Sequence, residues 1–174
     1  MGDERFRRHL ARVRPRLARL AAAGLDEPNV LALLAVESFY RPRTARLGEY
    51  ALWAAASLLH PSALPTLSPG LAQVQLRHWA AAGEIGGLRW TPSRLARVLD
   101  PAANYRVCRR FLADRGALRL ADPVRLTRLY TGWDRPGYAR RLALAREIWR
   151  AERLRSASEV VNPRHEKAFR RLAD

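Results

Sequence analysis

At four places this chain sets a capping residue at or near a proline: "DEPN" from Asp26, "TPSR" from Thr91, "DPAA" from Asp100 and "DPVR" from Asp122. Proline fixes φ near the helical value and lacks an N–H, so it fits the first turn of a helix, where that N–H would have no partner. An Asp or Thr just before it supplies an oxygen for the remaining free N–H groups. Each pair therefore marks a helix start. No run alternates apolar and polar residues over the length of a strand, although "LAQVQL", 71–76, suits a brief extended piece. The reading predicts helices over 4–23 (broken at Pro15), 28–40, 45–60, 75–82, 92–99, 101–115, 123–131 and 136–155. This is an all-α domain with at most a small β element. Residues 1–25 form a basic amphipathic N-terminal helical extension, 26–155 the domain itself, and 156–174, with few apolar anchors, a C-terminal tail.

With 174 residues, 48% of them hydrophobic, the chain can bury a core without staples. A single cysteine, Cys108, excludes an intramolecular disulfide framework, and His9, His60, His78 and His165 have no ligand spacing, so no metal or cofactor is expected. The net charge is +16, carried by 31 arginines and one lysine, Lys167. Such a charge favours polyanions. A GC-rich coding bias explains the arginine excess equally well. No DNA-binding motif is legible and the arginines are spread along the chain, so no specific nucleic-acid partner is expected.

In the first helix Phe6, Leu10, Val13, Leu17 and Leu20 form a stripe among arginines. That pattern suits contact with a membrane surface or an anionic cell-wall polymer, or simple packing of the stripe on the domain, which is the favoured reading. No window approaches a membrane span, and the N-terminus has no continuous apolar stretch of the secretory kind.

One residue stands out against this background. In "LLAVESFYRP" Val30, Leu33, Leu34 and Glu37 fall on one helical face, which places a carboxylate on the stripe that should be buried. Asp26 or Glu27 caps this helix, and Pro42 biases Arg41 out of helical geometry, so Glu37 lies in the last turn. Desolvation and the negative end of the helix dipole both disfavour the charged form and raise its pKa. A carboxylic acid kept protonated suits a general acid. A core glutamate paired with an arginine fits the same pattern equally well.

The "ESFYRP" stretch resembles the Glu-Ser-aromatic signature of the lysozyme-like lytic transglycosylases, the soluble lytic transglycosylase and goose-type lysozyme family. Three further stretches follow in that family's order: "SPGLAQVQ" (68–75), "LDPAANYRVCRRFL" (99–112) and "LYTGWDRPGY" (129–138). The resemblance covers roughly residues 26 to 152. It implies an all-α fold with a small β element and cleavage of the β-1,4 bond between N-acetylmuramic acid and N-acetylglucosamine in peptidoglycan. Glu37 is implied to be the one acid/base, closing a 1,6-anhydro ring with help from the substrate's acetamido group. Ser68 and Gln73 are implied to bind sugar hydroxyls and N-acetyl groups, Gly70 to let backbone approach the glycan, and Tyr130 to hold the Glu37 carboxyl. Ser38 and Tyr138 are implied as supporting positions. The substrate implies a cell-envelope or secreted location, reached by a route the sequence does not display.

Several features depart from the pattern. Thr131 stands where the family has Asn, followed by Gly132 and Trp133, and Ala72 stands where Met is common and is expected to widen the pocket. The stretch "GEYALWAAASLLHPSALPTL" is expected to be an extra helix and loop that walls the cleft. Glu49, Glu84 and Asp134 are candidates for a second carboxylate, for which surface placement is the better expectation. Two other function classes stay open: a catalytically silent lysozyme-like module that binds glycan or a protein partner, and a basic helical protein that binds nucleic acid.

Overall fold

The computed structural model describes residues 2–41 and 43–151, and everything regular in them is helical. The order is α1 (Gly2–Ala22), α2 (Pro28–Tyr40), α3 (Arg43–Leu59), a 3₁₀ turn (Pro61–Thr66), α4 (Leu76–Ala81), α5 (Pro92–Leu99), α6 (Pro101–Ala113), α7 (Pro123–Thr131) and α8 (136–151). The expected tail, 156–174, and the last residues expected in α8 lie outside the described residues, as does Pro42.

The helix-start reading holds in detail. Thr91 accepts from Arg94 N–H, Asp122 from Val124 N–H, and Asp100 from the N–H groups of both Ala102 and Ala103. Asp100 also closes α5, so one residue ends a helix and begins the next. At the start of α2 the capping residue is Glu27, but its side chain makes no cap bond. Its N–H instead donates to Tyr105 Oη at 2.9 Å.

Two expectations are corrected and one favoured reading, packing of the α1 stripe on the domain, is met. Pro15 does not break the first helix, which runs unbroken across it. Proline in a helix interior costs about 3 kcal/mol, but Phe6, Leu10, Leu17 and Leu20 are all buried in the common core, on both sides of Pro15. At about 1.5–3 kcal/mol for each buried side chain, that stripe outweighs one lost hydrogen bond. The same burial makes α1 a packed wall of the domain, touching α2, so its apolar stripe is not available to a surface. The 71–76 stretch is not extended in a sheet; residues 71–75 are turn and loop, Leu76 begins α4, and no strand occurs among the described residues.

Helix α2 is more deeply placed than an amphipathic stripe requires. Every residue from Asn29 to Glu37 is buried, on all faces, because other helices surround it. Asn29 reconciles its amide with that position by donating to the carbonyls of Leu118 (2.7 Å) and Leu120 (3.2 Å). Glu37 is thus carried into the domain interior by a helix that is otherwise apolar at its centre.

Candidate active site

The last turn of α2 delivers Glu37 to the floor of a cleft of roughly 390 Å³ whose lining includes Ser68, Gln73, Tyr130, Thr131 and Tyr138. Glu37 is only 7% exposed. Tyr138, in the first turn of α8, donates its hydroxyl to Glu37 Oε1 at 2.7 Å. Burial pushes the Glu37 carboxyl above its usual range, against the Tyr138 hydrogen bond and the charges of Arg41, Arg135 and Arg46, all of which pull it down. Burial and the neighbouring carboxyl raise Tyr138 as well, so its hydroxyl stays a donor. With Oε1 occupied by that donor, the acidic proton belongs on Oε2. Tyr40 stacks on the Tyr138 ring, 5.5 Å between centroids and 8° from parallel, and fixes its orientation.

The second tyrosine takes a different task from the one the resemblance implies. Tyr130 lines the cleft, but its hydroxyl donates to the Ala72 carbonyl, not to the Glu37 carboxyl. It also meets the Cys108 thiol at 4.0 Å; burial pushes that thiol up to about 12, so Cys108 is a packed, unreactive group. Tyr130 sits near the end of α7 and Tyr138 near the start of α8, and only their relative placement decides which hydroxyl reaches the acid.

The 68–75 loop is built from three fixed points. Asn104 in α6 donates from Nδ2 to the carbonyls of Val98 (2.7 Å) and Asp100 (2.8 Å), and its Oδ1 accepts from Ala72 N–H at 3.0 Å. Ala72 is therefore held by Asn104 through its N–H and by Tyr130 through its carbonyl. Gly70 has φ +95°, and a Cβ there would lie 2.8 Å from Asn104 Oδ1 and 3.0 Å from Val98. Its missing side chain is needed for this packing; Gly70 is buried and does not line the cleft, which corrects the expectation that it meets the glycan. Ala72 is fully buried as well and does not widen the pocket.

Gln73 follows in the left-handed region, φ +50°, and does line the cleft. Its amide donates to Gly70 O (2.8 Å) and to Glu49 Oε2 (3.0 Å). Both N–H donors are thereby engaged, which leaves its amide oxygen as the atom suited to accept from a sugar hydroxyl or N–H. Ser68 lines the same cleft. Thr131 uses its hydroxyl locally, on Thr127 O at 2.9 Å and the Trp133 backbone, and closes the end of α7 before Gly132 at φ +78°.

Ser38 faces a different cavity. Its hydroxyl donates to Ala35 O at 2.7 Å, shaping the end of α2 as expected, and lies 2.7 Å from His9 Nε2 in α1. None of the three acids weighed as a second carboxylate lines the cleft. Glu49 ion-pairs with Arg41; Asp134 ion-pairs with Arg128 at the surface. Glu84 is not at the surface: its side chain, 8% exposed, lies between Arg97 and Arg106, each 2.6 Å away. The 48–67 stretch does not wall the cleft either, since no residue of it contributes to the lining. Sequence reasoning passed over Asn104, although it lies inside the quoted "DPAANY" stretch, and the four arginines of the cleft lining, 41, 77, 115 and 135.

Among the described residues no group of acidic, histidine or cysteine side chains could hold a metal ion, and no helix is long and apolar enough to cross a membrane. The arrangement can hold one neutral carboxyl beside a polar cleft, with a tyrosine hydroxyl fixing its orientation. Compared with protein-family models, curated proteins and solved structures, the chain matches none.

Proposed function

We propose that the protein is a peptidoglycan lytic transglycosylase in which Glu37 is the only acid/base. The observation that carries this reading is the isolation of Glu37: among the described residues it is the one acidic side chain in the lining of the cleft, buried at its floor and held by Tyr138. A two-carboxylate glycosidase needs a second acid across the scissile bond. A transglycosylase that uses the substrate's own acetamido group needs one acid that starts neutral, and desolvation of Glu37 favours that state.

In this reading Glu37 gives its proton to the glycosidic oxygen as the bond from C1 to that oxygen breaks, and the acetamido oxygen bonds to C1. The Glu37 carboxylate then takes the proton of the C6 hydroxyl. O6 attacks C1, the bond to the acetamido oxygen breaks, and the 1,6-anhydro ring closes with Glu37 protonated again. Tyr138 stabilises the carboxylate form between the two steps. Gln73 Oε1 and Ser68 supply acceptors and a hydroxyl for the sugar.

The test is release of soluble muropeptides from purified sacculi, with mass analysis of the ends formed. Wild type is expected to release anhydro-muropeptides, and Glu37→Gln to lose about a thousandfold in rate, the middle of the range for general acid–base catalysis. Release by neither protein overturns the enzyme reading, and reducing ends in place of anhydro ends overturn the transglycosylase chemistry.

A further inference from the structure

Between Glu49 and Arg77 the chain has no Asp, Glu, Lys or Arg, although 28% of its residues are charged. Helix α3 fills the first part of this gap. One side of it packs inward: Trp53 is fully buried, its indole donating to Leu88 O at 2.7 Å, and Ala56 and Ser57 are buried beside it. The opposite side is apolar too. Leu47, Ala51, Leu52, Ala55, Leu58 and Leu59 are all exposed on it, Leu58 at 84% and Leu59 at 71%. Single exposed leucines are ordinary on protein surfaces. A helix that is apolar on every side belongs in a core or against lipid, and α3 is covered on one side only.

The N-terminal end of this face has a second feature. Leu47 and Leu99, both exposed, border a cavity of about 290 Å³ that also contains Arg16 and Arg46. Arg46 Nε is buried there with no hydrogen-bond partner among the described residues. Apolar walls with two arginines among the lining residues suit a molecule that joins acyl chains to an anionic headgroup.

We propose that the outer face of α3, with the Arg16 and Arg46 cavity at its end, is an interfacial docking surface for an anionic lipid bilayer, the leucines lying among acyl chains and the arginines on lipid phosphates. Charge selects this occupant over a second copy of the chain. Two molecules at +16 each repel one another, whereas an anionic leaflet attracts both the local arginines and the molecule as a whole. The apolar side of α1, the amphipathic helix with a basic face, is already spent in the core.

The experiment is co-sedimentation with phosphatidylcholine vesicles, with and without phosphatidylglycerol, at about 0.15 M salt, where unassisted charge attraction is screened. Leu52→Gln, Leu58→Gln and Leu59→Gln combined keep the net charge and are expected to weaken binding to the anionic vesicles about a hundredfold. A polarity-sensitive fluorophore on Leu58→Cys, beside the buried and unreactive Cys108, is expected to shift to the blue on vesicle addition. Arg16→Gln with Arg46→Gln is expected to remove the preference for phosphatidylglycerol. The proposal is overturned by absence of wild-type binding, by undiminished binding of the leucine variant, or by a fluorophore that stays in water while the protein sediments. A leucine-dependent dimer or a captured protein partner in place of vesicle binding overturns it equally. If the triple variant fails to fold, the single-site fluorophore still decides.

Discussion

Helices α2 and α3 have similar apolar compositions and opposite fates. Each carries a carboxylate in an otherwise apolar segment, Glu37 in the last turn of α2 and Glu49 before the charge-free part of α3. Surrounded on all sides, α2 buries nine consecutive residues and pushes its acid toward the neutral form. Covered on one side only, α3 leaves four leucines exposed, and its acid is engaged by Arg41 and Gln73. What an apolar helix does is therefore set less by its own residues than by how many neighbours reach it. In α2 that enclosure makes a chemical group; in α3 its absence leaves a surface.

The sharpest way to break this contrast is to truncate one leucine on each helix. Leu33→Ala in α2 opens a cavity in a core with no exposed neighbour to collapse into it, and is expected to cost about 3 kcal/mol. Leu58→Ala in α3 removes atoms that are already in water, and is expected to change stability by no more than about 0.5 kcal/mol. Denaturant melts of the two variants compare them directly. Equal losses would mean that the outer face of α3 is covered in solution.

The difference between the two helices was only partly legible in the chain. The helix starts were readable because proline with a capping oxygen acts locally, and the boundaries of α2, α5 and α7 follow those signals. Pro15 misled for the same reason: the local rule is correct, but the packing of Phe6, Leu10, Leu17 and Leu20 is larger and nonlocal. Glu37 was legible as a buried acid from its spacing. Its partner was not, since Tyr130 and Tyr138 are both on elements that could approach it and only the tertiary placement of α7 and α8 separates them. Asn104 left a faint signal as an amide directly after an alanine pair in a capped helix, but its bond to Ala72 spans distant parts of the chain. The exposure of α3 left no signal, because a one-sided and a fully enclosed apolar helix read alike.

A second comparison tests how the acid of α2 is held. Tyr138→Phe removes the hydrogen bond that stabilises the Glu37 carboxylate, so the carboxyl holds its proton to higher pH. Activity on sacculi is expected to fall about tenfold, a charge-assisted hydrogen bond being worth roughly 1.5–3 kcal/mol. The alkaline fall-off, where Glu37 loses its proton, is expected to move upward. Tyr130→Phe loosens Ala72 and its loop, and should weaken substrate affinity without moving that fall-off. A shift with Tyr130→Phe and none with Tyr138→Phe would return to Tyr130 the role the family pattern implies.

The smallest expected effect compares the two carboxylates themselves, by stability against pH. Glu37 binds its proton more tightly in the folded chain than in the unfolded one. Its contribution to stability is therefore fully present below the unfolded carboxyl pKa of about 4.3 and declines as pH rises through the higher folded value. Glu37→Gln keeps an oxygen to accept from Tyr138 but cannot ionise, so this variant is expected to lose that part of the decline. Its Tm should match wild type near pH 4 and exceed it at neutral pH, a stabilisation gained by removing the proposed acid/base. Glu49→Gln has the opposite sign at neutral pH: it gives up the ion pair to Arg41, which is partly exposed, and is expected to cost up to about 1 kcal/mol. Melting curves at acidic and neutral pH distinguish the two. A Glu37→Gln variant that is less stable than wild type at neutral pH would mean that the folded chain stabilises the ionised carboxyl, and the general-acid role would lose its physical basis.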